Sequence, residues 1–188
     1  MENLIVKYTA LLHHALACKG MKRVPEFAEL LQGAWMSGSA VYICGNGGSA
    51  GNAIHLANDF IYGIDRKGGV GIRVEALSAN AAVLTCLAND TGYDNIFAQQ
   101  LKVKARAGDL LIVLSGSGNS PNVVKALEVA KELDVKSIAI LGFDGGQCLT
   151  LADCPIHIDI DDMQISEDMQ LIIGHMCMQY LSLQGRGS

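Results

Sequence analysis

Aromatic side chains are scarce in this 188-residue chain, which has one Trp, four Phe and five Tyr. Its core must therefore be assembled from Ala, Val, Ile, Leu and Met, the stock of an α/β protein. Charge is sparse too, at 18% of residues with a formal net charge of −5. No cluster of Lys and Arg is present, and a general nucleic-acid surface needs one on a single face. Long apolar runs are missing: the most apolar C-terminal stretch, Met169 to Leu183, is too short to cross a bilayer and is interrupted by Gln170, His175 and Gln179. The opening residues lack the basic flank, apolar run and small-residue cleavage site of a secretion signal. Six cysteines (Cys18, Cys44, Cys86, Cys148, Cys154, Cys177) are scattered without C-x-x-C pairing. Several lie in apolar runs, where a thiol packs as a small hydrophobe. These absences predict a soluble, cytoplasmic protein with reduced thiols and no membrane or nucleic-acid partner.

Half of the residues are apolar, and the length suits one core, so the chain is expected to form a single domain over residues 1–188. Helical spacing of apolar residues from Asn3 to Cys18 and from Pro25 to Ser37, stopped by Gly20 and Gly38, predicts two leading helices. After them, short runs of strand formers alternate with helical stretches. The strands are expected at Ala40–Cys44, Gly71–Ser78, Leu110–Leu114, Ser137–Leu141 and Ile156–Ile160. The helices between them are expected from Ser49, as cap, to about Tyr62, then at Ala79–Leu87, Asn95–Arg106 and Pro121–Leu133, with a final one from about Ile165 to Leu183. No repeat or linker interrupts the series, and only Gln184 to Ser188 read as a loose end. Apolar strands alternating with helices predict a doubly wound, five-stranded parallel sheet covered on both faces. Ligands of such sheets bind beyond the strand C-termini, where the strand order reverses.

Two loops that follow strands carry the chemistry: Gly45-Asn46-Gly47-Gly48-Ser49 and Ser115-Gly116-Ser117-Gly118-Asn119-Ser120. Each opens a helix. Glycine lets the backbone approach an anion closely, hydroxyls donate, and a helix N-terminus adds free N–H groups and a favourable dipole. One such loop alone reads as a tight turn. Two at the same edge of one sheet point to a phosphorylated small molecule, with the serine-rich loop as its cradle. Neither has the Lys-Ser/Thr ending of a P-loop nor the glycine spacing of a dinucleotide fingerprint.

His55 and Asp59, four residues apart on the helix after the glycine turn, share a face that offers an imidazole and a carboxylate together. On the last helix Glu167 and His175 are separated by about 80° around the axis and about 12 Å along it. By itself the pattern around His175 is that of a hydrogen-bonded core histidine.

At these residues the chain resembles the sugar isomerase (SIS) family, in its sedoheptulose 7-phosphate (phosphoheptose) isomerase branch. The resemblance rests on Cys44-Gly-Asn-Gly-Gly-Ser-Ala-Gly-Asn-Ala-Ile-His55, Ala88-Asn-Asp-Thr-Gly-Tyr-Asp-Asn-Ile-Phe97 and Leu114-Ser-Gly-Ser-Gly-Asn-Ser-Pro-Asn-Val123. It implies a flavodoxin-like SIS fold, a homotetramer, and isomerisation of sedoheptulose 7-phosphate to D-glycero-D-manno-heptose 7-phosphate through a cis-enediol. It also implies that Ser115, Gly116, Ser117 and Ser120 hold the phosphate, while Asn46, Gly47, Gly48, Ser49, Asn89 and Asp90 contact the sugar. His55, Asp59, Glu167 and His175 would gather at the reacting carbons and bind zinc, with Asp59, Glu167 and His175 as catalytic groups. Asp59 stands where the family usually has Glu, Glu167 where it has Gln, and Gly116 where Thr is common. These departures leave open an enzyme or sensor for another sugar phosphate. A non-catalytic SIS adaptor of the replication-initiator-binding type is the remaining alternative.

Overall fold

The computed structural model of the protein describes residues 1–65 and 69–185. Two helices, α1 (Glu2–Leu16) and α2 (Val24–Ser37), precede the first strand, β1 (Ala40–Gly45). Next come α3 (Gly48–Asn58), β2 (Arg73–Ala76), α4 (Ala81–Thr91), α5 (Ala98–Lys104) and β3 (Leu110–Ser115). The chain continues through α6 (Pro121–Glu132), β4 (Lys136–Leu141), α7 (Cys148–Leu151), β5 (Cys154–His157) and α8 (Met163–Gln184). All strand pairs are parallel, in the order β2-β1-β3-β4-β5.

The middle of the sheet is buried on both faces because β1 and β3, and β4 beyond Lys136, are buried at every position rather than at alternate ones. Val41, Ile43, Leu110, Ile112, Leu114, Ile138 and Ile140 face a layer that contains α1, α2, α3 and α8. Their neighbours Tyr42, Cys44, Leu111, Val113, Ala139 and Leu141 face α5, α6 and α7. The period of two thus divides one continuous apolar run between two cores. Helix α4 has no fully buried residue and rests on the second core through the partly buried Leu84, Leu87 and Ala88.

The expected doubly wound five-stranded sheet is present, with corrections at its edges. The edge strand β2 is confined to Arg73–Ala76, where Gly71–Ser78 was expected. The other edge strand, β5, begins two residues early at Cys154 and ends at His157. Ile158 and Ile160 are buried beyond it, so the apolar run reported burial and not pairing. Pro155 is accommodated because an edge strand can leave one side of its backbone unpaired. Helix α5 starts only at Ala98, after a 3₁₀ turn at Tyr93–Asn95, and α7 was not anticipated. Gly47 (φ +54°) and not Ser49 is the N-terminal boundary of α3, a conformation open to glycine. Ser49 lies inside the first turn, where its Oγ accepts from Gln170 Nε2 at 2.9 Å. Of the expected loose end, Gln184 closes α8 and residues 186–188 lie outside the described part.

All six cysteines are free. Burial pushes the Cys44 thiol far up, and raises Cys148 and Cys154 to about 11 and Cys177 to about 12, whereas Cys86 is exposed. A disulfide reagent at pH 8 should therefore label Cys86 first, then the partly covered Cys18, and reach the other four only after denaturation. Rapid labelling of all six in the native protein would contradict this packing.

Candidate functional site

The strand order reverses between β1 and β3, so the loops that leave these neighbouring strands diverge and open a crevice. The two sequence-predicted loops are those loops. In the serine-rich one, Ser115 Oγ accepts from Gly118 N at 3.0 Å, and Ser117 Oγ accepts from Asn119 N at 3.3 Å. Both hydroxyl protons remain free to be donated outward. Ser120 precedes Pro121 at the start of α6 and makes no capping bond with its side chain. Beside this loop lies a cleft of about 500 Å³ lined by Ser117, Asn119, Phe143, Asp144, Asp159 and Asp161. Its acidic wall repels a phosphate, which leaves the hydroxyls and helix N-terminus of the loop as the favourable place for one.

Helix α8 runs along this edge like a ruler. Its first residue, Met163, fills the space where a Gly116 side chain would stand, since a Cβ there would lie 2.7 Å from Met163 Sδ. One turn on, the Glu167 carboxylate lies against the glycine turn, about where a Gly48 side chain would begin. Gln170, 1% exposed, spans to Ser49 Oγ and accepts from Asn52 Nδ2 at 2.9 Å. At Gly174 α8 passes close to α3, since a Cβ there would sit 2.3 Å from Leu56 Cδ2. That approach sets His175, the next residue, against His55, the residue before Leu56.

The result is a compact trio. His55 Nε2 and His175 Nε2 are 2.9 Å apart, and Asp59 Oδ2 lies 3.4 Å from the first and 3.3 Å from the second. The rings meet edge to face at 70°. Asp59 opens a π turn, Asp59–Gly63, whose wider winding follows directly on α3; such turns recur at functional sites. Two imidazole nitrogens this close either share a proton or direct two lone pairs at one cation. For a tetrahedral zinc with ligand bonds of 2.0–2.1 Å the donor-to-donor edges are about 3.3 Å. The three observed distances match that figure to within about 0.4 Å, and three protein donors leave a fourth position open, as in catalytic zinc sites. The donor set therefore fits a zinc-like ion.

Not every sequence-predicted residue converges here. Among the described residues His55, Asp59 and His175 gather their ligand atoms in one cluster, while the carboxylate of Glu167, the fourth member expected, lies against the glycine turn. Ser49 is buried and engaged with Gln170. Asn89 and Asp90 are exposed at the end of α4 and bond to each other, Asn89 Nδ2 donating to Asp90 Oδ1 at 2.8 Å. Asn46 does lie at the crevice, in contact with two residues that the sequence reading passed over, Asn122 and Tyr93. Gln170 was overlooked as well, although a polar residue in the apolar stripe of a core helix is itself a signal of a buried partner.

This crevice can be compared with known proteins. The model of the SIS domain family matches residues 6–142. The chain belongs to the SIS domain family. It is 36% identical over 158 residues to a phosphoheptose isomerase of Clostridium acetobutylicum, covering 83% of this chain and 79% of that one. It is 40% identical over 138 residues to one from Helicobacter pylori, covering 72% and 70%. Among solved structures, a phosphoheptose isomerase from Neisseria gonorrhoeae superposes with a TM-score of 0.86 at 28% identity, over 96% of this chain and 97% of that one. The SIS fold read from the sequence is thus the fold of the protein, and its relatives are isomerases.

Proposed function

We propose that this SIS protein is an isomerase that converts sedoheptulose 7-phosphate to D-glycero-D-manno-heptose 7-phosphate. The observation that carries the reading is the crevice at the β1/β3 switch point, with a hydroxyl-rich helix N-terminus at one end and carboxylate and imidazole groups along α8. Ser115, Gly116, Ser117 and Ser120 bind the phosphate, and Asn46 with Gly47 and Gly48 meets the sugar. An aldose–ketose exchange moves one proton between adjacent carbons and one between their oxygens, through a cis-enediol. Glu167 is the carboxylate free for the carbon proton, since among the described residues no side-chain hydrogen bond or ion pair engages it. Asp59 Oδ2, by contrast, is shared between two histidines. With no metal on its Nε2, His175 carries the proton between the oxygens.

His55, Asp59 and His175 would hold zinc, which when bound supplies Lewis-acid polarisation of a carbonyl oxygen. Asn89 and Asp90, also proposed as sugar contacts, sit on a helix with no buried residue. That thinly covered helix, together with exposed Leu4, Ile5 and Val6 on α1 and Tyr180 and Leu183 on α8, supports a homotetramer. Six unpaired cysteines support a cytoplasmic location. Among the described residues, no helix is long and apolar enough to cross a membrane.

The test is to follow purified protein and sedoheptulose 7-phosphate by NMR. Aldose signals should appear with wild type and fall by about 10²–10⁴-fold with Glu167→Ala. Inactivity of the metal-loaded wild type, or full activity of the variant, would reject this assignment. Capture of a replication initiator by an inactive protein would favour the adaptor.

A further inference from the structure

The three sequence segments on which the family resemblance rests each send one side chain to a single hydrogen-bonded knot. Asn46, from the loop after β1, donates through Nδ2 to Asn122 Oδ1 at 2.9 Å, and Asn122 Nδ2 donates back to Asn46 Oδ1 at 2.8 Å. Tyr93 completes the knot by donating its hydroxyl to the same Asn46 Oδ1 at 3.0 Å. Asn122 is 1% exposed and occupies the second residue of α6, just past the serine-rich loop. The turn that carries Tyr93 is itself held to α6, where Lys125 Nζ donates to Asn95 Oδ1 at 3.2 Å and lies 3.9 Å from Asp94 Oδ2.

We infer that Asn122, assisted by Tyr93, is a positioning residue that presents Asn46 to the phosphorylated sugar and fixes the spacing between the two loops of the crevice. The inference rests on the sugar-phosphate reading of the site. A primary amide has two N–H donors and two acceptor lone pairs on its oxygen. Asn46 spends both lone pairs on Asn122 and Tyr93 and one N–H on Asn122. One N–H is left, so Asn46 faces a ligand as a donor alone and selects an oxygen that accepts. Breaking the pair would strand the buried Asn122 amide, which opposes any swing of Asn46 away from this pose. Because the two asparagines belong to loops leaving β1 and β3, the pair also ties the sugar end of the crevice to its phosphate end before substrate arrives.

The experiment is a double-mutant cycle on turnover of sedoheptulose 7-phosphate, with melting temperature recorded for each protein. Asn122→Leu, similar in volume but without donor or acceptor, should lower kcat/KM by about 10–10²-fold, and Tyr93→Phe by about fivefold. Once Asn46→Ala has removed the group being positioned, either change should lower kcat/KM further by no more than about twofold. The melting temperature should fall with Asn122→Leu in both backgrounds, since the stability loss does not depend on Asn46 reaching substrate. If Asn122→Leu does not fold, Asn122→Asp serves the same cycle, because it removes the donor to Asn46 Oδ1 at the same size. Losses that multiply in the Asn46→Ala background, or Asn122 variants with wild-type kcat/KM, would overturn the inference. Failure of the wild type to turn over the sugar is a separate result, visible before any variant is made, that removes the reading beneath it.

Discussion

Replacing His175 with alanine is expected to lower isomerase turnover by about 10²–10⁴-fold, the range for loss of a positioned acid–base group, with little effect on folding. The His175 side chain is 39% exposed and His55 48% exposed, so removing the imidazole opens no closed cavity. The change in stability should stay within about 0.5 kcal/mol, as for surface substitutions. Metal content supplies an independent readout. With one of three donors gone, zinc recovered per chain after dialysis should fall well below that of wild type, and His55→Ala should behave alike. Asp59→Asn keeps the size but removes the charge, so it should retain more metal than either histidine variant. Equal zinc and equal turnover in wild type and His175→Ala would dissolve both the metal reading and the acid–base one.

Gly118→Ala is expected to abolish phosphate binding by distorting the serine-rich loop. Gly118 has φ +63°, and a Cβ on it would lie 2.0 Å from the carbonyl oxygen of Gly145. The obstacle is backbone, which cannot rotate aside as a side chain can. The left-handed conformation alone costs an L residue about 1–2 kcal/mol; the collision adds to that or forces the loop after β4 outward. Gly38→Ala is the control, since Gly38 also has positive φ, at +75°, but nothing lies within 4 Å of its Cβ position. The control should cost only the conformational part and keep wild-type turnover. Thermal denaturation with and without sedoheptulose 7-phosphate separates the two: ligand stabilisation should persist in Gly38→Ala and vanish in Gly118→Ala. A ligand-induced shift of wild-type size in Gly118→Ala would show that this loop does not hold the phosphate.

Much of the site was legible because its signals are local. The glycine turn and the serine-rich loop each follow an apolar strand and precede a helix, and that order alone assigns both to one edge of a parallel sheet. The His55 and Asp59 pairing was also legible, since four residues on a helix bring two side chains to one face. Glu167 was harder. Its chemistry invited grouping with the histidines, and only the packing of α8 against the glycine turn discloses what it touches. Asn122 and Tyr93 were missed for a related reason. Each is an ordinary polar residue in sequence, and their importance lies in meeting Asn46 across 76 and 47 residues of chain.

By itself the sequence determined the class of the fold, the parallel order of its elements and the two anion-friendly loops, because strand period, helix period and glycine–serine turns act over a few residues. The tertiary structure alone decided which ionisable groups stand together. The close approach of α3 to α8 at Gly174 joins His175 to His55 and Asp59, and the packing of α8 on the glycine turn sets the Glu167 carboxylate there. Those outcomes depend on distances between helices that no local pattern encodes, since they are set by side-chain volumes contributed from distant parts of the chain.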